Sequence, residues 1–275
     1  MQIQHNIQAI NSGRNLAINN SNLSKNLEKL SSGYRINRAG DDAAGLAISE
    51  QMRSQINGLN QAATNANDAI GLIQTAEGAL TEVHSMLQRM VTLTTQAANA
   101  TVNTVAAGNI STEVEALMAE IDRIANYTDF NGTKPLESGV NGTNMTFQIG
   151  PTGGETISVA MGDMTYDSLM GSTDVSEAVK DKAAANTALS AINSAINTVS
   201  TYRAKLGAAQ NRLEHTVNSL KVTSENIQAA ESRIRDTNMP DEITAFTKNN
   251  ILLQSAQSML SQSNAVPQSV LSLLG

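Results

Sequence analysis

The sequence has no cysteine and no tryptophan, and only three phenylalanines and four tyrosines among its 275 residues. Without cysteine, the chain can form neither a disulfide framework nor a thiolate metal site. The hydrophobic fraction of 40% is still large enough to bury a core. Because small and aliphatic side chains must fill that core, the composition predicts closely packed helices.

Clustered positive charge and long hydrophobic runs are also missing. The formal net charge is −7 and the Lys and Arg residues are scattered, whereas binding to nucleic-acid phosphates needs clustered positive charge. The longest apolar runs are far too short to cross a membrane. Residues 1–10 lack the basic start and apolar stretch of a general secretory signal. We therefore expect no nucleic-acid partner, no membrane insertion and, if the chain is exported, a dedicated export apparatus.

No residues have the spacing of a catalytic, cofactor or metal site. His5, His84 and His215 lie far apart and form no HExxH motif. Asp41 and Asp42 could suggest a cation site, but helix caps and ion pairs with nearby arginines explain these acids better. The sequence therefore predicts a protein that is not an enzyme and that uses no cofactor.

Hydrophobic residues recur at helical spacing along most of the chain. The first amphipathic stretch ends near Leu30, and a polar segment with glycines follows over residues 31–45. The spacing over residues 43–100 predicts a helix with a seam of coiled-coil type. Thr112, with a glutamate three residues later, has the spacing of a capping box. It predicts that a third helix starts there and ends near residue 127.

The longest regular pattern is a heptad column in which successive positions are all aliphatic. Its members are Ile192, Val199, Leu206, Leu213, Leu220, Ile227 and Ile234. A helix over residues 189–235 would be roughly 70 Å long at about 1.5 Å per residue, and we expect it to belong to the core of a rod. The segment over residues 236–241 contains Pro240 and breaks that helix.

A last amphipathic helix carries two adjacent heptad columns, and Pro267 separates it from an apolar tail over residues 270–274. The first column contains Ala245, Leu252, Met259 and Val266, and the second contains Phe246, Leu253 and Leu260. Breakers separate both terminal helices from the rod, so these helices need each other or a neighbouring molecule to cover their apolar faces. We expect burial of these faces to drive folding and assembly together.

Between the helices, the region at about residues 130–171 has the composition of β-hairpins, with Asn-Gly pairs at Asn131 and Asn141. Two short strands are predicted on either side of a turn at residues 151–155, because apolar and polar residues alternate there. The alternating apolar residues are Met145, Phe147 and Ile149, then Ile157, Val159 and Met161. This insert is too short to form a domain with a large core of its own.

Three stretches of the sequence carry long, specific motifs. Residues 27–58 read LEKLSSGYRINRAGDDAAGLAISEQMRSQING, residues 69–90 read AIGLIQTAEGALTEVHSMLQRM, and residues 246–274 read FTKNNILLQSAQSMLSQSNAVPQSVLSLL. The first two stretches resemble the N-terminal signature of bacterial flagellins, and the third is similar to their C-terminal signature. The resemblance covers most of the chain, and only about residues 130–185 match weakly. The chain looks like a short member of this family, without additional outer domains.

The resemblance implies that residues 1–42 and 236–275 pair as the inner-tube helical domain of a filament, while residues 43–235 form an outer rod domain. The implied fold is mainly α, with a long antiparallel coiled-coil-like rod, a small β-hairpin insert and paired terminal helices. The implied function is that of a structural subunit that polymerises outside the cell into the flagellar filament for swimming motility. Residues expected to pack between terminal helices or between copies are Ile3, Ile7, Ile10, Leu23, Leu27, Leu30, Phe246, Leu252, Leu253, Met259, Leu260 and Val266.

The resemblance also implies a set of partners. They are further copies of the chain, an export chaperone at the C-terminal helix, the filament cap and hook-junction proteins. The resemblance also implies that the flagellar secretion apparatus exports the chain in an unfolded state. Family members are also ligands of a Toll-like receptor. The matching residues in this chain are Gln88, Arg89, Leu93 and Glu113. The same residues fit an axial contact between subunits. Val91 and Thr92 stand where the family commonly has a polar or basic residue followed by Glu. We therefore expect weak or altered receptor recognition.

Two alternative functions stay open at this point. A hook-filament junction protein would share the terminal heptads, although the full DDAAGLAIS and FTKNN signatures favour the filament subunit. A secreted ligand or adhesin that acts as a monomer would need a distinctive exposed domain, which the short middle segment does not provide.

Overall fold

The structure is a computed structural model that describes residues 5–99, 101–137, 144–171 and 173–274, with the backbone alone over residues 267–274. Its elements are α1 (Ile7–Ser32), α2 (Ala43–Ala97), α3 (Thr104–Tyr127), β1 (Asn144–Gln148), β2 (Thr156–Ala160), α4 (Tyr166–Met170), α5 (Val175–Ala178), α6 (Lys182–Arg235) and α7 (Met239–Leu274). The predicted mainly α fold with a small β-hairpin is confirmed. Ile3 and Asn141, which the sequence singles out, lie outside the described residues.

The chain divides into two compact units. The terminal unit consists of Met1–Ile56 and Glu225–Gly275, and the middle unit consists of Asn57–Ser224. The helices α2 and α6 contribute residues to both units. The predicted inner-tube and rod domains have boundaries at helix ends, near residues 42 and 236, and that assignment stays a prediction.

A left-handed glycine ends the first helix. Gly33 has φ 76° and its N–H donates to the Lys29 carbonyl at 2.8 Å, which satisfies one of the last carbonyls of α1. The next helix, α2, begins at Ala43, so that the interruption predicted over residues 31–45 is observed in a shorter form. A residue with a side chain at position 33 would be strained at this φ.

The third helix starts earlier than the sequence predicts. The Asn103 side chain caps α3 by accepting a hydrogen bond from the Ala106 N–H at 2.7 Å. Thr112 therefore lies inside the helix, where its hydroxyl donates to the Gly108 carbonyl at 3.1 Å. The predicted start at Thr112 is wrong because a Thr-x-x-Glu spacing also occurs inside helices, whereas the predicted end near Tyr127 is confirmed.

Both prolines near the C-terminus are accommodated within α7. The helix begins at Met239, so Pro240 falls in its first turn, where a missing N–H needs no partner. The break predicted over residues 236–241 is correspondingly shorter. Pro267 does not end the helix, because the backbone stays helical to Leu274. The predicted apolar tail is thus a continuation of α7, since an interior proline removes one hydrogen bond without preventing the next turn.

The middle unit has a closed hydrophobic core to which α2, α3, α6 and the hairpin contribute. The heptad column of α2 is buried throughout, at Leu59, Ala66, Ile73, Leu80 and Leu87. The column of α6 is buried at Ile192, Val199, Leu206 and Leu213 and half-buried from Leu220 onwards. The two predicted heptad seams therefore serve as core in this unit.

The predicted hairpin is confirmed and packs against the helices of the middle unit. β1 and β2 are antiparallel, with Phe147 opposite Ile157, and Ile157 and Val159 are buried. The turn between the strands lies so close to α2 that a Cβ placed on Gly58 would come within 2.7 Å of the Pro151 Cβ. The short helices α4 and α5 were not predicted, because four or five residues carry too little helical periodicity.

Candidate assembly surface

α1 and α7 lie against each other in the terminal unit, and we call them the terminal pair. The Asn6 side-chain nitrogen donates to the Ser263 carbonyl at 2.8 Å, and that of Asn19 donates to the Leu252 carbonyl at 3.5 Å. The residue number in α7 falls as the number in α1 rises, so the helices are antiparallel. The predicted pairing of the terminal helices is thus present within a single chain.

The seam of the terminal pair is a heptad pattern in which apolar and polar layers alternate. The half-buried residues at these positions are Ser12, Leu16, Asn19, Leu23, Asn26 and Leu30 on α1, and Glu242, Phe246, Asn249, Leu253, Ala256 and Leu260 on α7. None of the described residues of α1 is fully buried. Asn26 Nδ2 and Glu242 Oε1 are shielded from solvent without a hydrogen-bond partner in the described chain. Such a seam is a weak one, because unpaired polar atoms cost stability.

The structure separates the two heptad columns of α7. The inner column, Phe246, Leu253 and Leu260, is half-buried in the terminal pair. In the other column Ala245 is half-buried, whereas the residues that we call the outer column, Leu252, Met259 and Val266, remain 40%, 65% and 41% exposed, respectively. One heptad column is thus half-buried within the chain, and most of the adjacent one is exposed.

The outer column continues into a groove between the two helices. Its lining includes Asn15 and Ile18 from α1 together with Leu252 and Met259 from α7. Farther along α1, towards its N-terminus, Ile7 and Ile10 are exposed by 60% and 65%. Large apolar side chains grouped on one exposed surface are typical of an interaction site, whereas singly scattered ones are ordinary.

The sequence-predicted packing residues therefore fall into two classes. Leu23, Leu30, Phe246, Leu253 and Leu260 contribute to the seam within the chain, whereas Ile7, Ile10, Leu27, Leu252, Met259 and Val266 are exposed. Leu16 belongs to the seam and Ile18 lines the groove, but both were missed as site residues. The spacing of eleven residues between Ile7 and Ile18, close to three helical turns, was a signal that could have found Ile18.

The segments that connect the terminal pair to α2 and α6 bind each other. The Arg35 N–H donates to the Arg235 carbonyl at 2.6 Å, and the Thr237 N–H donates to the Gly33 carbonyl at 2.9 Å. The Arg235 guanidinium donates to Glu50 Oε1 at 2.8 Å. This hydrogen bond is the main reason why the pKa of Glu50 lies below its usual value. These contacts form a joint at one end of the terminal pair.

Of the two acids predicted to act as caps, Asp42 caps α2, whereas Asp41 binds the backbone of the loop that precedes it. Asp41 Oδ2 accepts from the Arg38 and Asn37 N–H groups at 3.0 and 3.2 Å, and these hydrogen bonds lower the Asp41 pKa. Asp42 Oδ1 accepts from the Gly45 N–H at 2.9 Å. The expected ion pairs of these acids with arginine are not found, because Arg38 pairs with Glu28 and Arg35 donates to the Ile234 carbonyl.

Most of the residues expected at a receptor or axial contact lie on the surface of the middle unit. Gln88, Arg89 and Glu113 are exposed, and Arg89 forms an ion pair with Glu113 at 2.7 Å that joins α2 to α3. Leu93 is only 3% exposed and belongs to the hydrophobic core. A partner at this surface would therefore meet the polar side chains and not Leu93.

Charge is distributed unequally between the two units. Within Met1–Ile56 and Glu225–Gly275 the sequence has nine basic and nine acidic residues, so the terminal unit is formally neutral. The middle unit carries the whole formal net charge of −7. Copies of a neutral unit can approach one another without net repulsion, whereas acidic units repel each other at low salt.

Among the described residues, no helix has the length and apolarity needed to span a membrane, and no three metal-ligating side chains are grouped as a metal site. A closed middle unit, a weakly packed helix pair and an outer apolar column are together typical of a helical structural protein that associates with further molecules.

Comparison with known proteins agrees with this class. Residues 3–141 match the family model for the bacterial flagellin N-terminal helical region, and residues 189–274 match that for the C-terminal helical region. The chain is 50% identical to a flagellin of Bacillus subtilis and 48% identical to one of Halalkalibacterium halodurans, with 100% of each chain covered in both cases.

Solved structures show the same fold. The crystal structure of Bacillus cereus flagellin matches with a TM-score of 0.51 and 32% identity, over 61% of this chain and 94% of that one. A flagellar hook-associated protein from Vibrio parahaemolyticus matches with a TM-score of 0.61, over 71% of this chain and 100% of that one. Its identity of 14% shows likeness of fold alone.

The chain therefore belongs to the bacterial flagellin family. It is a structural subunit of the extracellular flagellar filament and not an enzyme.

Proposed function

We propose that this chain polymerises into the flagellar filament by burying the outer column of α7, together with the exposed isoleucines of α1, against further copies. The single observation that carries the proposal is that the inner column is covered within the chain while Leu252, Met259 and Val266 are not. Family membership supplies the occupant, because relatives covered over their full length are flagellins.

The size of the apolar surface supports this assignment. Burying a Leu or Met side chain contributes about 1.5–3 kcal/mol. A column of three such residues, repeated in every copy, can offset a substantial part of the entropy that each subunit loses on joining a polymer. The neutral charge of the terminal unit allows close approach of many copies.

Replacing Met259 with Lys tests the proposal. Met259 is 65% exposed in the single chain, so the free energy of unfolding of the free chain should change by less than about 0.5 kcal/mol. Seeded polymerisation, followed by light scattering and electron microscopy, should slow at least about 100-fold, because a charge would be buried between copies.

Two variants serve as controls for that substitution. Met259→Leu preserves apolar volume and should polymerise normally. Gln254→Lys places the same charge on an exposed position of α7 outside both columns and should affect polymerisation far less. Normal filament growth by Met259→Lys, or equal losses at positions 254 and 259, would contradict the proposed surface.

The same proposal assigns the terminal pair to the inner tube of the filament and the middle unit to its outer layer.

The exposed outer column of α7 also offers an apolar surface to an export chaperone before assembly. Contacts with the filament cap and hook-junction proteins would use the same helix ends. These partners follow from the family resemblance and from the exposed apolar surface.

We also propose that Gln88, Arg89 and Glu113 form an axial contact between copies, and a receptor surface in the free chain. Their exposure supports this role. Because Arg89 is already paired with Glu113 at 2.7 Å, a partner must accommodate or replace that ion pair. With Leu93 in the core and Val91 and Thr92 adjacent, weak or altered receptor recognition is the expected outcome.

A further inference from the structure

Asn6, at the free end of the terminal pair, uses both ends of its side-chain amide. Its Oδ1 accepts a hydrogen bond from the Ala9 N–H at 3.1 Å and so caps α1. Its Nδ2 donates to the Ser263 carbonyl of α7 at 2.8 Å. One side chain therefore caps the start of α1 and also binds the backbone of α7.

The Ser263 carbonyl lacks a regular helical partner because of a proline four residues later. In an α-helix the carbonyl of residue i accepts from the N–H of residue i+4. For Ser263 that residue is Pro267, which has no N–H, and α7 continues past both positions. The Ser263 carbonyl is thus an unused acceptor inside a helix whose neighbouring interior carbonyls have regular partners. Left without a partner away from water, it would reduce stability.

We propose that Pro267 makes the Ser263 carbonyl a docking acceptor that selects Asn6 and thereby fixes the register of α1 against α7. A slip by one heptad would move Asn6 by about 10.5 Å, to a carbonyl that already has a helical partner. That carbonyl could offer only a shared bond, like the longer one of 3.5 Å from Asn19 to the Leu252 carbonyl. The contact lies within one chain, so the inference goes beyond assembly and does not depend on contacts between copies.

The seam alone leaves the register poorly defined. Leu16, Leu23 and Leu30 repeat every seven residues, as do Phe246 and Leu253, so a pair slipped by a heptad would rebuild equivalent layers. The joint restrains one end through the hydrogen bonds between its connecting segments. Asn6 and Pro267 provide the matching restraint at the other end.

The absence of cysteine from the chain allows the register to be measured directly. Ala9 and Leu260 lie three residues inward from Asn6 and Ser263, respectively, and both are half-buried. The pair Ala9→Cys and Leu260→Cys should form a disulfide under mild oxidation in the native register. The pair Ala9→Cys and Leu253→Cys reports a slip of one heptad, because Leu253 is the half-buried seam residue seven positions from Leu260. The measured quantity is the ratio of native to slipped cross-links in the full-length chain.

Asn6→Asp isolates the docking hydrogen bond, because aspartate caps a helix but cannot donate to a carbonyl. We expect this variant to lower the ratio about tenfold. Asn103→Asp is the matched control. Asn103 caps α3 by accepting from the Ala106 N–H, with no second contact across helices, and the ratio should stay unchanged.

Pro267→Ala supplies the missing N–H to the Ser263 carbonyl. It should raise the helix content measured by circular dichroism, yet lower the cross-link ratio as far as Asn6→Asp does. The double variant should show no further loss, because both changes remove the same contact. A proline that acts only as a helix breaker would give the opposite sign, since its replacement would strengthen the pair.

Four outcomes would overturn the inference: an unchanged ratio in Asn6→Asp, a raised ratio in Pro267→Ala, additive losses in the double variant, or no native cross-link in the parent chain. Failure of Met259→Lys to block polymerisation would leave these ratios unaffected, so the two proposals can fail separately.

Discussion

The two units of this chain are built from the same kind of heptad, yet they reach different degrees of closure. In the middle unit the columns of α2 and α6 are buried, with Leu80 and Leu206 at 0% exposure. In the terminal pair, the columns of α1 and α7 are at best half-buried. The difference lies in the number of covering elements, because three helices and a hairpin enclose the middle core, whereas two helices alone can shield only one seam.

Charge and polarity follow the same division. The closed middle unit is acidic and the open terminal unit is formally neutral. The seam of the terminal pair contains Asn19, Asn26 and Asn249, whereas the only polar residues buried in the middle unit are small hydroxyl side chains among the described residues. The middle unit therefore has a closed core, whereas the terminal unit is suited to gain stability from neighbours.

The largest expected effect is a difference in the free energy of unfolding lost when one leucine of each unit is replaced with alanine. Leu206→Ala should lower the free energy of unfolding by about 2–5 kcal/mol, because it leaves a cavity in a closed core. Leu253→Ala should cost only about 1 kcal/mol in the free chain, because its surroundings are half-exposed. Urea unfolding of the free chains measures both values. Equal losses would show that the terminal pair is as closed as the middle unit.

A smaller effect is expected from making the seam of the terminal pair fully apolar, like the core of the middle unit. Replacing Asn26 and Glu242 together with Leu removes two shielded polar atoms that lack partners. The terminal pair should gain about 1–2 kcal/mol, since apolar residues of similar size often stabilise such layers. Hydrogen exchange of the α1 amides measures this gain. Asn22→Leu, at an exposed position of the same helix, is the control, and a comparable gain there would refute the role of the seam.

The smallest expected effect is the pH dependence of the joint. The hydrogen bond from Arg235 lowers the Glu50 pKa, so the folded-state pKa lies below the unfolded one. The contribution of Glu50 is therefore present above the unfolded pKa and is lost as pH falls through the folded pKa. The protection factors of the Arg35 and Thr237 amides, which correct the exchange rates for their intrinsic pH dependence, should fall with acidification over that range. Glu50→Gln should remove this dependence, and an unchanged pH profile in that variant would exclude Glu50 as its source.

Much of the fold could be predicted because helical periodicity is a local property. The bounds of α1 and α6 lie near those expected, and the alternation of Phe147 and Ile157 with polar neighbours located both strands. Helix starts were less reliable. For α3, the spacing at Thr112 suggested a helix start, whereas the observed cap is Asn103. Threonine and asparagine side chains bond to the backbone both at helix ends and inside helices, so the residue type alone does not locate the start.

The candidate surface was located by sequence only to the level of a helix face. Two adjacent columns on α7 have similar hydrophobicity, so periodicity cannot tell which one the partner helix covers. Leu93 shows the same limit, because the family resemblance placed it at a contact surface, whereas the core of the middle unit buries it. Such choices depend on how neighbouring elements are positioned, which involves residues distant in sequence.

The sequence by itself thus determined the helices, the hairpin, the family and the need of the terminal helices for partners, since propensity, periodicity and motifs act over short spans of chain. The tertiary structure alone decided which column of α7 faces α1, which stays exposed, and how Asn6 meets the carbonyl that Pro267 leaves free. These features arise from the antiparallel register of two segments about 250 residues apart, and a contact between such distant residues leaves no local pattern in the sequence.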